Sequence, residues 1–464
     1  MKSRLVILLF TVVSFYIICN TSKDWQWWVF KWDKSGYHLY LPAFFIYKDI
    51  KELKFYKYID QAYMPTGDLK EYELNKLPNG NKANKYSIGV AVRELPFFVA
   101  AHFVNKYYIN RNTVIYPQDG YSVPYQWGAV ISNLFWIVLG LVILRKFLRR
   151  NFNDTITAIT LLAIACGTNL YHYAVFTHGM AHGYLFFDFA LVMYATDRLY
   201  GTGNKKYLYL LGLALGCIAI TRISDLVVML IPLLWGLNTI PAVKQRLSFL
   251  RQSIPHIACA LLLFFCVLMI QLYYWKYVTG AWIYNGYTGE GFVWTDPAIW
   301  QGLFSFRKGW FIYTPLAVFM LWGIYSMRRR FGQLMPAMLM FTVVNIYVIF
   351  SWWNWWYGGS FGGRALIESF AVLSLPFAAF TEQVLLHRSA VIKFASGILL
   401  VLLVALNMFQ SYQAYKVVIH WDGMTQAYYF RAFFKTKESE EDKQYLMTDG
   451  EKYDENKKRL DKIK

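Results

Sequence analysis

Charge is scarce in this chain. Asp, Glu, Lys and Arg make up 16% of its 464 residues, whereas a soluble domain carries nearer a quarter. The scarcity leaves long apolar blocks, and the solvent such blocks call for is lipid. Cysteine is rare too. Cys19, Cys166, Cys217, Cys259 and Cys266 lie in or at the edges of apolar segments. None has metal-ligand spacing, so they read as small apolar fillers. Acid is short relative to base, with 28 Asp and Glu against 47 Lys and Arg, a net charge of +19. In a soluble protein that excess points to nucleic acid. Here the bases gather in short loops between apolar blocks: Arg145, Lys146, Arg149, Arg150; Lys205, Lys206; Lys244, Arg246; Arg328, Arg329, Arg330. That is the positive-inside pattern, which reports orientation and excludes the nucleic-acid reading. No inverted repeat of broken spans is evident, which weighs against a transporter.

What remains is 57% hydrophobic and 19% aromatic. The pattern predicts an all-α polytopic membrane protein. The first span is residues 4–20, an uncleaved anchor because no Ala-x-Ala-like site follows it. Ten more are expected at 125–144, 155–170, 182–200, 206–220, 225–239, 256–276, 309–327, 334–351, 364–380 and 391–410, about eleven in all. Residues 20–122 form a long first outer loop. Within it, Lys48, Lys51, Lys54 and Lys57 alternate with apolar residues over 44–60, predicting an amphipathic helix on the membrane surface. Pro65-Thr66-Gly67 and Pro78-Asn79-Gly80 read as turns. Residues 88–105 are apolar, but Arg93, Glu94 and Pro96 interrupt them. Treating them as re-entrant or interfacial keeps every short basic loop inside. Residues 1–410 then form the membrane domain, and 411–464 a charged outer tail, solvated or partly helical beyond 435.

Four polar features fall on the same predicted side. The first is Asp33 to Asp49, an aromatic run bracketed by two carboxylates, with Tyr37, Gly36 and Pro42 between them. A carboxylate near low-dielectric surroundings has its pKa raised and can serve as a general base. Trp25, Trp27, Trp28 and Trp32 precede it, and the alternative is an aromatic belt with ordinary surface acids. The second is Arg93-Glu94 with Asp119-Gly120. Charge in an apolar segment needs a partner or a cavity, and the simplest case is a pair between Arg93 and Glu94 themselves. The third is the run from Tyr171 to His182. His178 and His182 are four apart and would share a helix face, although Gly179 lies between them and no zinc-protease Glu accompanies them. Hydrogen bonding at the lipid–water boundary or substrate contact suits them better than metal. Arg222 at the next outer turn either pairs with Asp225 or holds a phosphate. The fourth is Ser351 to Arg364, where tryptophans including Trp356 can stack on a sugar or sit among headgroups. Gly358, Gly359, Gly362 and Gly363 let backbone N–H groups approach a ligand. Arg364 opens a span and should have an anionic partner. Arg307-Lys308 in the preceding loop adds further cations.

Three short stretches carry a resemblance: Asp33-x-x-Gly36-Tyr37-x-x-Tyr40-Leu41-Pro42-Ala43, Asp119-Gly120-Tyr121-Ser122 and Trp356-x-Gly358-Gly359-Ser360-Phe361-Gly362-x-Arg364. With the layout of residues 1–410, they resemble the GT-C superfamily of integral-membrane glycosyltransferases. The likeness is nearest to bacterial relatives of protein mannosyltransferase and lipid A aminoarabinose transferase. The resemblance implies a bacterial plasma-membrane enzyme with its N-terminus in the cytoplasm. It implies a sugar moved from a polyprenyl-phosphate donor to a lipid, glycan or protein acceptor at the outer face. Asp33 matches the first-loop base, with Asp49 as second acid, and Arg364, Arg222 or Arg307 match the phosphate-binding cations. One departure is that Lys34 stands where many relatives carry a second acid. Any dependence on a divalent metal is left open. The competing readings are a transporter or flippase of a lipid-linked saccharide, and an inactive assembly protein of the same fold.

Overall fold

A computed structural model describes residues 1–21, 29–67, 69, 71–107 and 116–463, so Trp25, Trp27 and Trp28 lie outside the described residues. The chain is mostly helical. Helix α1 (Lys2–Asn20) packs along α5 (Val123–Asn151) and α6 (Asp154–Gly167). Between α1 and α5 the chain forms α2 (Asp33–His38), α3 (Tyr56–Tyr63), a two-stranded hairpin of β1 (Leu74–Lys76) and β2 (Lys82–Asn84), and α4 (Gly89–Tyr107). The predicted turn at Pro78-Asn79-Gly80 is the hairpin tip, and Gly80 takes the positive φ of 83° that the turn needs.

After α6 come α7 (Leu170–Val175), α8 (Ala181–Thr202), α9 (Lys206–Ala219), a 3-10 turn at Ile223–Met229 and α10 (Leu230–Leu234). Then follow α11 (Ile240–Gln252), α12 (Ile254–Thr279), α13 (Ile299–Phe304), α14 (Trp310–Tyr313) and α15 (Leu316–Ser326). The remainder is α16 (Met335–Ser351), α17 (Ser369–Leu385), α18 (Ala390–Tyr415), α19 (Gln426–Ala432) and α20 (Asp449–Leu460). The core is built where α5 packs on α4 and α8, α8 on α9, and α17 on α6, α8 and α15.

Among the described residues, five helices are long and apolar enough to cross a membrane: α1, α5, α12, α16 with the turn before it, and α18. They fit an integral membrane protein. A bilayer core of about 30 Å needs about 20 residues at 1.5 Å each. The other predicted spans coincide with helices that are shorter, broken or more polar. Those at 155–170 and 206–220 rest on helices of 14 residues. The one at 309–327 breaks at Thr314-Pro315 between α14 and α15. The one at 225–239 is a 3-10 turn running into α10. Only 11% and 6% of the apolar windows of α12 and α18 are buried, against 56% in α5. Those two helices therefore present their side chains to the surrounding solvent, which for such sequences is lipid.

The amphipathic helix expected over 44–60 does not form. A π-turn covers Pro42–Ile46, and α3 begins only at Tyr56. Asp49 is the reason. Its carboxylate accepts the backbone N–H groups of Glu52, Leu53 and Lys54 at 3.0, 3.1 and 2.7 Å, and such local side-chain acceptors compete with helical bonding. Residues 88–105 do form one helix, α4, lying along α5 with Pro96 inside it. The C-terminal segment folds back on the body of the protein. A capping box of Thr448 and Glu451 starts α20. Arg459 then donates to the carbonyls of Asp296 and Trp353 at 2.8 and 3.2 Å.

Candidate functional site

Asp33 opens α2, after Trp32 turns the chain with a φ of 54°. The helix has room for a neighbour because residue 36 is glycine. A Cβ there would fall 2.3 Å from the ring of Tyr86. That ring lies against α2 instead, and its hydroxyl donates to Asp33 Oδ1 at 2.8 Å. Asn84 ties the hairpin to the same turn, donating to the Gly36 carbonyl at 2.6 Å. Tyr86 is a site residue that the sequence alone did not bring out, since nothing but its place at the end of a strand sets it apart.

The other oxygen of Asp33 receives Arg364. Arg364 Nη2 lies 2.8 Å from Asp33 Oδ2, although 331 residues separate them. Two of the three stretches that carry the resemblance are thus in direct contact rather than facing each other across a cavity. The Nε of Arg364 is buried and makes no hydrogen bond among the described residues. The carboxyl of Asp33 is governed by opposing effects. Burial pushes its pKa up, but Arg364, the Tyr86 hydroxyl and Lys85 outweigh it and hold it below the usual carboxylate range. This corrects the expectation of a raised pKa: the low-dielectric surroundings are present, but so is a cation in contact. Lys34 is shifted as well. Burial lowers it to about 8, and Arg364 and Lys31 add to the fall while Asp33 opposes it. Burial, with Asp33 next, pushes the Tyr37 phenol up to about 12.

A second ion-pair cluster adjoins the first. Arg222 Nη1 contacts Glu368 Oε1 at 2.9 Å and Asp225 Oδ2 at 3.7 Å. The second oxygen of Glu368 faces His182 Nδ1 at 3.1 Å, and His182 Nε2 is buried without a partner among the described residues. Glu368 was missed by sequence reasoning. Its signal was available, because it is an acid at the start of an apolar segment, four residues after Arg364. His178 does not share a face with His182. Gly179, with a φ of 78°, separates it from α8, and burial drives the His178 imidazole down to about 3, followed in effect by Lys34 and His172.

Arg93 and Glu94 do not pair with each other, because adjacent residues on a helix point in different directions. Arg93 Nη2 contacts Asp188 at 2.6 Å and its Nη1 donates to Thr221 at 2.8 Å. Glu94 accepts the Tyr184 hydroxyl at 3.1 Å and faces His38 Nδ1 at 3.1 Å. His38 Nε2 lies 2.7 Å from the carbonyl of Gly120. A carbonyl only accepts, so Nε2 carries the proton. Asp119 caps the same turn, accepting the N–H groups of Tyr121 and Ser122 at 2.9 Å each and the Tyr63 hydroxyl at 2.5 Å. Asp119 and Asp49 are therefore both occupied in holding backbone.

Trp356 is 3% exposed and one face of its ring is covered by the Arg307 guanidinium at 3.8 Å. Arg307 is in turn held by Asp422 at 2.9 Å and Glu455 at 2.6 Å. Lys308 donates to the carbonyls of Ser360 and Trp421, and burial takes it down to about 7. These groups join the Trp-rich loop to the C-terminal segment. Gly358 takes a φ of 61° with open space around it, whereas a Cβ on Gly359 would touch Trp421 at 3.2 Å. Among the described residues no three His, Cys, Asp or Glu side chains are grouped as metal ligands would be. Two clefts, of about 530 and 320 Å³, run beside β1 and the 279–288 loop, and neither is lined by Asp33 or Arg364.

Compared with protein-family models, the sequence matches none, and among curated proteins no match is found.

Proposed function

We propose that the chain is a glycosyltransferase of the GT-C kind, taking a sugar from a polyprenyl-phosphate donor at the outer face of a bacterial plasma membrane. The observation that carries this reading is the contact between Asp33 and Arg364 at 2.8 Å, in a partly buried site with a spare guanidinium N–H. In this resting arrangement Asp33 is ionised but a weak base. A donor phosphate competing for Arg364 would draw the guanidinium away. Asp33, left with Tyr86, Lys85 and its buried surroundings, would then rise in pKa, so donor binding and activation of the base are one event. The acceptor hydroxyl gives its proton to Asp33 as its oxygen attacks the anomeric carbon. The bond from that carbon to the phosphate oxygen breaks, and polyprenyl phosphate leaves with the electron pair, its charge met by Arg364. Arg222 is a further cation near this point, and the Tyr37 ring packs against Tyr86 at 4.9 Å. The acceptor is a lipid, glycan or protein. Lipid surroundings hold the donor tail.

The purified chain in proteoliposomes, given radiolabelled polyprenyl-phosphate sugars, is expected to release label from the lipid fraction when acceptor extract is added. No release across a panel of donor sugars would overturn the reading. An R364A variant is expected to raise the donor KM far more than the acceptor KM.

A further inference from the structure

The interfacial helix expected at 44–60 is absent there, but α11 has the character that segment lacked. Its 13 residues contain no buried side chain. Ile240, Val243, Leu247 and Leu250 are 74%, 41%, 61% and 37% exposed. At about 100° per residue they fall within an arc of about 80° on one side of the helix. Lys244 and Arg251, both exposed, border that arc. Gln245, Ser248 and Gln252 lie beyond them, away from the apolar side.

The remaining face fastens α11 to the bundle, so its orientation is set. The Arg246 guanidinium lies 3.5 Å over the ring of Tyr200 and donates to the carbonyls of Pro232 and Trp235 at 3.2 and 2.5 Å. Phe249 packs edge-on against the same ring at 5.9 Å. Lys205 donates to the carbonyl of Gln252 at 2.8 Å, holding the C-terminal end. One residue, Ser253, then joins α11 to α12, whose exposed Ile254, Leu261, Leu262, Phe265 and Met269 form an outward apolar side.

We propose that α11 is a docking surface for an anionic bilayer. Its apolar arc enters the acyl boundary, and Lys244 and Arg251 meet anionic headgroups. The occupant follows from continuity and charge. The helix adjoins the end of a 26-residue apolar rod that is itself lipid-facing, so its height is that of a membrane edge. A buried protein partner would not need cations bordering an apolar arc, whereas a negatively charged leaflet does.

The test uses the full chain, with its five cysteines replaced, in nanodiscs of zwitterionic lipid with or without phosphatidylglycerol. Spin labels are placed one at a time by L247C, L250C, Q245C and S248C, and their accessibility to oxygen and to a water-soluble nickel chelate is measured. In phosphatidylglycerol the labels at 247 and 250 are expected to favour oxygen several-fold, and those at 245 and 248 the chelate. K244E/R251E is expected to shift the label at 247 toward the chelate without altering the elution volume of the protein. All four labels favouring the chelate would overturn the proposal. So would dipolar broadening between labels at 247, which would mean a second copy covers the face. An immersion at 247 that is the same without phosphatidylglycerol would overturn the anionic assignment.

Discussion

The bond between Asp33 and Arg364 makes a quantitative prediction. At 2.8 Å and an effective dielectric constant of about 20, the bare attraction is about 6 kcal/mol. Most of it is offset by taking both groups out of water, since their side chains are only 21% and 13% exposed. A net coupling of ~1–3 kcal/mol is expected. The perturbations are D33N, R364Q and the double variant, unfolded by SDS in mixed micelles. R364Q should cost about 3 kcal/mol, because it leaves a partly buried carboxylate with Tyr86 as its remaining donor. D33N should cost somewhat less, since the amide oxygen still accepts from Tyr86. The double variant should be more stable than the sum of the two losses predicts. The sign with pH is also fixed. Asp33 has its pKa depressed by folding, so its contribution is present above the unfolded value of about 4 and is lost as pH falls through the folded one. Additivity within ~0.5 kcal/mol at neutral pH would refute the pairing and the base-release mechanism built on it.

Further outcomes concern the surroundings of that pair. Lys34 falls to about 8 in the folded protein, below its unfolded value of about 10.5. The folded state therefore binds fewer protons between these values, so stability should rise as pH climbs from about 8 to about 10.5. K34M should flatten that part of the rise, and an unchanged slope would contradict the burial argument. R307A should cost about 3–5 kcal/mol by leaving Asp422 and Glu455 without their shared cation. It should also speed amide exchange across α20, and protection as in the parent would count against this. Gly362 has a φ of 60° with Tyr313 3.0 Å from a would-be Cβ, while Gly358 has a φ of 61° and no neighbour within 4 Å. G358A should therefore cost about 1 kcal/mol and G362A clearly more, both read by thermal unfolding.

Much of the helical layout was legible, because apolar blocks of 15–25 residues admit little but helix in a lipid-compatible chain. The number crossing was not. Hydropathy alone does not show that Thr314-Pro315 breaks a segment, or that Asp49 gathers three backbone N–H groups and stops a helix at its start. Asp33 and Arg364 both stand out in the sequence, Asp33 as a carboxylate at a membrane edge suited to a general base and Arg364 as a cation that should have an anionic partner. That they are each other's partner is a tertiary fact separated by 331 residues. Arg93 and Glu94 look like a local pair in the sequence, yet packing gives Arg93 to Asp188 on α8 and Glu94 to His38 on α2. Arg307 matches a phosphate-binding cation in the resemblance, yet the C-terminal segment folds back onto it. Its acids, Asp422 and Glu455, are the groups that hold it. Glu368 is an acid in plain view four residues after Arg364, but it falls inside the span predicted at 364–380.

The central claim is that Asp33 removes the acceptor proton once Arg364 is drawn to the donor phosphate. The most direct measurement is single-turnover transfer from a polyprenyl-phosphate sugar by the parent chain and by D33N, both shown to be folded by the same elution volume and thermal midpoint within a few degrees. The account predicts that D33N, in which no carboxylate competes for Arg364, binds donor at least as tightly as the parent and transfers about 10²–10⁴-fold more slowly. Transfer by D33N at the parent rate would contradict it.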